Sequence, residues 1–284
     1  MIDPEQFKEQ QKIAWDKMAH GWKKWWPLFE KYGTDISQTM IEKAEVDRGA
    51  RVLDFATGIG EPALTAATTV GPGGYVLATD ISEEMVNLTT ERVDASGFTN
   101  IRVVQSDIAT LDLSEELPFD AVLCRLGIML IPELEKICTK IHNSLRDDGK
   151  FVATVFSTPP KAPIVGHAAM IIQSTLQPPK GLENAPGIFS LADPTPLTTI
   201  LQNVGFSDVD TQTISHSFVF DNAGQFRDFT RDLTPPINLT IKGISDDMVA
   251  NIWRKVAQTA KDQYEREDGK IEVENEIIYI TANK

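Results

Sequence analysis

Five short apolar runs recur along the first half of the chain, at 50–56 (ARVLDFA), 74–80 (GYVLATD), 101–107 (IRVVQSD), 119–125 (FDAVLCR) and 150–156 (KFVATVF). They are rich in β-branched residues, and helical patterns separate them, which predicts a parallel sheet covered on both faces. Among those helices, "ISEEMVNLTTERVDASG" opens at Ser82 as N-cap and stops at Gly97. A second, "PELEKICTKIHNSLRDDG", starts at a proline and stops at Gly149, with Leu134, Ile137, Ile141 and Leu145 marking one face. His142 lies beside that stripe and reads as a structural residue of the helix surface.

After Phe156 the texture changes. The stretch "STPPKAPIVGHAAMIIQSTLQPPKGLENAPG" has six prolines around an apolar helical centre and reads as an insertion over the sheet. A helix at about 194–204 follows, then a long alternating strand in "GFSDVDTQTISHSFVF", a helical region over 222–266 with Trp253 on its apolar face, and a final strand in "NEIIYITANK". The first 49 residues precede the sheet as amphipathic helices bearing Trp15, Trp22, Trp25, Trp26, Phe29 and Tyr32. Four of the five tryptophans sit in that segment, as a cap that packs on the domain, lines a ligand pocket, or does both.

Composition narrows the function. At 284 residues and 42% hydrophobic content the chain is long enough to bury a sizeable core. Its 27 basic against 41 acidic side chains give a charge of −14, which repels phosphate backbones and argues against nucleic acid as a substrate. No apolar stretch has the length of a membrane span, and the N-terminus has no signal-peptide pattern, so a cytoplasmic protein is expected. Cys124 and Cys138 belong to no CxxC or Cys/His cluster, so reduced, buried thiols and no metal are expected.

The chemistry gathers in "VLDFATGIGEP", residues 52–62, where an apolar strand ends in an acid and a glycine turn. Such a turn before a helix presents backbone N–H groups to an anionic group. No Gly-Lys-Ser/Thr follows, and Asp54-x-Ala56-x-Gly58-x-Gly60 lacks dinucleotide GxGxxG spacing, so neither a P-loop nor that fingerprint applies. Ala56 stands where the first glycine is usual, which is tolerable if its φ is negative. Asp54 offers an acceptor to an ammonium group while the turn faces a carboxylate, a pairing suited to an amino acid. Asp80, ending the next strand, suits ribose hydroxyls. Asp107, ending the third and followed by Ile108, suits an adenine amino group and ring. An amino acid, a ribose and an adenine in series describe S-adenosyl-L-methionine.

The order and spacing of these segments resemble the class I S-adenosylmethionine-dependent methyltransferases over about residues 45 to 157: "VLDFATGIG", "VLATDIS", "QSDIATL", "FDAVLCRLGIMLIP" and "NSLRDDGKFVATVF" in turn. "GIGEPALTAA", "ATDISEEM" and "CRLGIMLIP" are similar to the small-molecule branch of ubiquinone/menaquinone C-methyltransferases. The resemblance implies an α/β, Rossmann-like doubly wound sheet, mostly parallel with an antiparallel final strand. It implies a helical cap over 1–49 and a methyltransferase domain over 50–284 with substrate-side insertions at about 157–190 and 222–266. It adds Ile81 and Cys124 to Asp54, Ala56, Gly58, Gly60, Asp80, Asp107 and Ile108 as cofactor-binding residues.

The implied activity is methyl transfer to a small, partly apolar molecule by in-line displacement, which mainly requires alignment and exclusion of water. Candidate bases or substrate anchors are His20 in the cap, His167 in the insertion and Arg125 at the end of the fourth strand, while His216 reads as structural. The alternatives are a methyltransferase acting on protein or RNA, for which the cap would be a docking surface, and a noncatalytic S-adenosylmethionine-binding protein. A nicotinamide oxidoreductase is disfavoured by the absence of a Tyr-x-x-x-Lys pair. A homodimer is possible, and the N-terminal segment is expected to act as a lid over the cofactor mouth.

Overall fold

A computed structural model of the chain describes residues 3–178, 185–233 and 243–284. Seven strands form one sheet in the order β3-β2-β1-β4-β5-β7-β6. The first five are β1 (Arg51–Phe55), β2 (Tyr75–Asp80), β3 (Ile101–Gln105), β4 (Phe119–Arg125) and β5 (Leu145–Phe156). They pair in parallel, whereas β7 (Ile271–Asn283) lies antiparallel between β5 and β6 (Ser207–Phe220). The expected Rossmann-like sheet with an antiparallel last strand is therefore observed.

The continuous apolar runs are explained by two covered faces. Leu53, Phe55, Leu77, Phe119, Leu123 and Phe151 are all fully buried. Helices α2 (Ala63–Val70), α3 (Glu83–Ser96) and α4 (Leu134–Ser144) connect the parallel strands. Ser82 caps α3 by accepting from the Met85 N–H at 3.1 Å, and Gly97 ends it in the left-handed conformation, as its sequence predicts. His142 packs edge-on against Phe206, the structural place expected of it. The strand order reverses between β1 and β4, which opens a crevice at the carboxyl edge of the sheet.

Beyond the sheet come α5 (Pro163–Leu176), α6 (Thr195–Asn203), α7 (Ala223–Leu233) and α8 (Asp246–Tyr264). Among the described residues the helical region expected over 222–266 comprises α7 and α8; residues 234–242, and 179–184 of the insertion, lie outside the described residues. Trp253 is buried, as its apolar face requires.

The N-terminal cap differs from expectation in being one helix, α1 (Pro4–Lys43), rather than several. Asp3 caps it by accepting from the Glu5 N–H at 3.1 Å, and Pro27 sits inside without ending it. At about 1.5 Å per residue, 40 residues make a rod of about 60 Å, long enough to cross the whole carboxyl edge. Packing outweighs the hydrogen bond that Pro27 cannot make: Met18, Trp25, Ile36 and Met40 are all buried.

Candidate active site

The first strand delivers the chain into a turn at Ala56–Gly60 whose conformation is stitched by side chains. Asp54, with no exposed surface, accepts from Thr57 Oγ1 at 2.6 Å and from the Ala63 N–H at the start of α2 at 3.1 Å, both through Oδ2. Its Oδ1 is buried without a partner, and burial pushes its pKa up to about 7. Ala56 has φ +54°, so the condition under which its methyl costs nothing is not met, and this alanine occupies a left-handed conformation that glycine adopts at lower cost. Gly58, also left-handed, has open space where a side chain would stand.

Asp80 at the end of β2 accepts from the Gly58 N–H and the Ser82 N–H, each at 2.9 Å and each on a different oxygen. One accepted bond per oxygen leaves lone pairs for a ligand hydroxyl on both. Burial raises its pKa to about 6. Asp107, just past β3, accepts from the Ala109 N–H at 2.9 Å and lies 3.0 Å from Nζ of Lys8, which reaches over from α1.

A cavity of about 270 Å³ joins these groups. Ala56, Gly58, Asp80, Ile81, Asp107 and Ile108 line one part of it, together with Thr57, Glu61 and Thr79, whose side chains the sequence reading did not assign. The other part is apolar and is walled by Phe29, Phe156, Phe218, Phe229 and Ile277, and Trp15 and Trp22 of α1 also line the cavity. Trp22 stacks on Phe29 at 4.5 Å between centroids, and Phe29 packs on Phe229 of α7 at 5.4 Å. The cap accordingly both packs and lines the pocket.

Three expected cofactor residues stand behind that wall. Asp54 and Cys124 have no exposed surface, and they hold the turn and the end of β4 from within. Gly60, at φ +98°, allows Leu64 to approach where a Cβ would lie only 2.4 Å away. Both cysteines are buried free thiols.

Of the three candidate bases or anchors, only Arg125 reaches the cavity. His20 projects from the exposed side of α1. His167 is 3% exposed: Nε2 lies 3.2 Å from the Val256 carbonyl oxygen and 3.0 Å from Thr259 Oγ1, and its ring packs edge-on against Phe226 and Tyr264. The insertion does overhang the site, but through Ile164, Val165 and Ile188; α5 turns His167 inward against α8. His216 contacts the Tyr279 hydroxyl at 2.8 Å and is structural as expected.

Residues 46–177 match the family model of a methyltransferase domain. The ubiquinone/menaquinone biosynthesis C-methyltransferase of Azotobacter vinelandii is 32% identical over 123 residues, which are 43% of this chain and 48% of that protein. The demethylmenaquinone methyltransferase of Geobacillus kaustophilus is 26% identical over 122 residues, 43% of this chain and 52% of that protein. The chain spans about half the length of the curated relatives it matches. Among solved structures, phosphoethanolamine N-methyltransferase 2 of Haemonchus contortus, in complex with phosphomonomethylethanolamine and S-adenosylhomocysteine, superposes with a TM-score of 0.58 at 18% identity, covering 100% of this chain and 60% of that one. The YcgJ protein of Bacillus subtilis gives 0.54 at 19% identity over 87% of this chain and 97% of that one. At those identities the superpositions establish the fold.

The residues present fit S-adenosylmethionine: an open glycine turn, a ribose-type acid with free lone pairs, and an acid beside a buried isoleucine lie in series along one cavity wall. Residues 46–177 match a methyltransferase domain, and 123 residues of the chain are similar to a ubiquinone/menaquinone biosynthesis C-methyltransferase.

Proposed function

We propose that the protein transfers a methyl group from S-adenosylmethionine to a small, mostly apolar acceptor by in-line displacement. The observation that carries this reading is the continuity of the cavity. Its acid- and glycine-lined part opens directly into a chamber walled by Phe29, Phe156, Phe218, Phe229 and Ile277, contributed by α1, β5, β6, α7 and β7. A cavity of about 270 Å³ in all, lined on its acceptor side by aromatic rings, suits a compact molecule better than a polypeptide or an RNA. The acidic charge of −14 weighs against RNA for a separate reason.

The bound cofactor supplies an electrophilic methyl on a sulfonium. The chain's residues orient and exclude. Asp80 holds the ribose through its free lone pairs, Gly58 leaves room for the ligand to lie against the turn, and Ile81 and Ile108 cover the adenine. The aromatic wall keeps water from the reacting atoms and sets the acceptor in line, where alignment alone is worth several kcal/mol. His20 and His167 take no part.

Calorimetry with S-adenosylhomocysteine tests the cofactor half. Asp80→Ala should weaken binding by about 1.5 to 3 kcal/mol, the cost of a lost charge-assisted hydrogen bond. Incubation with labelled S-adenosylmethionine and a metabolite extract tests the acceptor half. A gain of one methyl on a small molecule supports it, and label found only on protein or RNA overturns it.

A further inference from the structure

Among the described residues Arg125 is the one cationic side chain of the sheet that lines the cavity, Lys8 reaching it from α1, and the hydrogen bonds of Arg125 leave most of it unused. One terminal nitrogen donates to the Gly33 carbonyl oxygen and to Ser37 Oγ, both at 3.1 Å. Those two bonds tie α1 to the end of β4 and account for the N–H groups of that nitrogen alone. Among the described residues, Nε and the second terminal nitrogen make no hydrogen bond, and no carboxylate lies within 4.0 Å of the guanidinium. The nearest acids are occupied or set back. Glu61 accepts from Thr65 Oγ1 at 2.6 Å and faces Arg92 at 3.9 Å, while Asp54 lies buried beneath the turn.

A guanidinium in a chamber of phenyl rings and isoleucines has lost much of its hydration, and three planar N–H donors remain to be satisfied. Water satisfies them weakly. A planar oxyanion accepts two at once, in the fork geometry for which arginine surpasses lysine. A purely structural arginine would have its remaining donors on backbone carbonyls or carboxylates, as its first nitrogen does.

We infer that Arg125 anchors an ionised oxygen, a carboxylate or a phenolate-type oxygen, on an otherwise apolar acceptor, so that the acceptors of this site are amphiphilic monoanions. The inference rests on the acceptor chamber proposed above. Arg125 lines the same cavity as Phe156 and Ile277, from the end of β4 where it pairs with Thr154 of β5, and an anion on its free edge fixes which end of the acceptor faces the turn.

The test is calorimetric binding of naphthoate, an ionised nitronaphthol and neutral naphthamide to the full chain, with and without S-adenosylhomocysteine. Naphthoate, the nitronaphtholate or both should bind at least about tenfold more tightly than naphthamide, the two anions distinguishing carboxylate from phenolate recognition. Arg125→Gln should abolish that preference. Should this variant melt early through loss of the Gly33 and Ser37 contacts, Arg125→Lys carries the test, with anion affinity falling severalfold and naphthamide affinity unchanged. Equal affinity of wild type for anions and naphthamide, no binding of any probe, or a preference unaltered in the variants would overturn the inference. Failure to bind S-adenosylhomocysteine would instead strike the methyltransferase reading, since the anion preference is read without it.

Discussion

The ammonium of Lys8 lies 3.0 Å from a carboxylate oxygen of Asp107, so the first turns of α1 are held across the adenine end of the cavity. Lys8 is 7% exposed, and it also meets Glu5 at 2.6 Å and Glu133 at 3.7 Å. About two turns further on, Ser82 Oγ donates to Asp16 at 2.6 Å. Past Met18 the helix is bound differently. Trp25 donates to Asp232 at 3.0 Å, a Cβ at Gly21 would come within 2.6 Å of the Asp232 carbonyl oxygen, and Phe29 packs on Phe229.

That division splits the expected lid in two. Over 4–16 the contacts are mainly ion pairs and hydrogen bonds, with Trp15 packed on Trp22, whereas much of 22–41 is packed into the core. Hydrogen exchange without ligand should therefore be fast over 4–16 and slow over 22–41, and S-adenosylhomocysteine should slow only the first. Uniform strong protection along α1 would sink the lid. Lys8→Ala should speed release of S-adenosylhomocysteine, by about five- to tenfold for a largely buried ion pair.

The carboxyl of Asp54 gives a pH signature. Its folded pKa is raised from 3.8 to about 7 by burial, so the folded state prefers the protonated form more than the unfolded chain does. The associated stability is full below pH 3.8 and is lost as pH rises through 7. Asp54→Asn keeps an oxygen for Thr57 and Ala63 while removing the charge. The melting temperature of wild type relative to this variant should fall from about pH 4 to pH 7 and level off above that. A constant difference would contradict the raised pKa.

His167 and His20 should part company on substitution. His167→Ala removes buried contacts to Val256, Thr259, Phe226 and Tyr264, and should cost about 2 to 4 kcal/mol in denaturant unfolding. His20→Ala, on an exposed helix face, should stay within about 0.5 kcal/mol and leave turnover unchanged. Lost turnover in a stably folded His20 variant would return it to the site.

The sheet was legible because its strands are apolar on both faces and its helices carry caps such as Ser82 and Gly97. The strand-end acids were legible because Asp54, Asp80 and Asp107 each close an apolar run. What sequence missed lay in long-range pairing. No local pattern connects Lys8 with Asp107, or Phe218 and Phe229 with the turn at 56–60, and His167 reads as a residue over the site until α8 is placed against α5. The single length of α1 was hidden by Pro27, whose cost is offset by packing against α2, α3, α7, β5 and β6. β7 starts four residues before the expected "NEIIYITANK" because Ile271 and Val273 extend its alternation through glutamates. Glu61 stands in plain sight after the glycines, and only the cavity gives it a place.

Ala56 and Gly127 share one space, and a mutant cycle can read it. Ala56 holds φ +54°, which costs a non-glycine residue about 1 to 2 kcal/mol, and its methyl points at the loop after β4. There, a Cβ on Gly127 would lie 2.6 Å from the Ala56 Cβ and 3.0 Å from Cys124 Sγ. Gly127 itself has φ −108°, so its glycine is required by space and not by backbone conformation. Ala56→Gly should therefore stabilise by about 0.5 to 1 kcal/mol, the relief of strain less the added freedom of the unfolded chain. Gly127→Ala should destabilise by about 2 kcal/mol or more through overpacking. In the double variant the first obstacle is gone while the Cys124 contact remains, so the combined loss should fall short of the sum of the single effects by about 1 kcal/mol. Strict additivity would mean that the two residues do not meet, and the turn would then have to follow a path in which Ala56 turns its methyl away from β4.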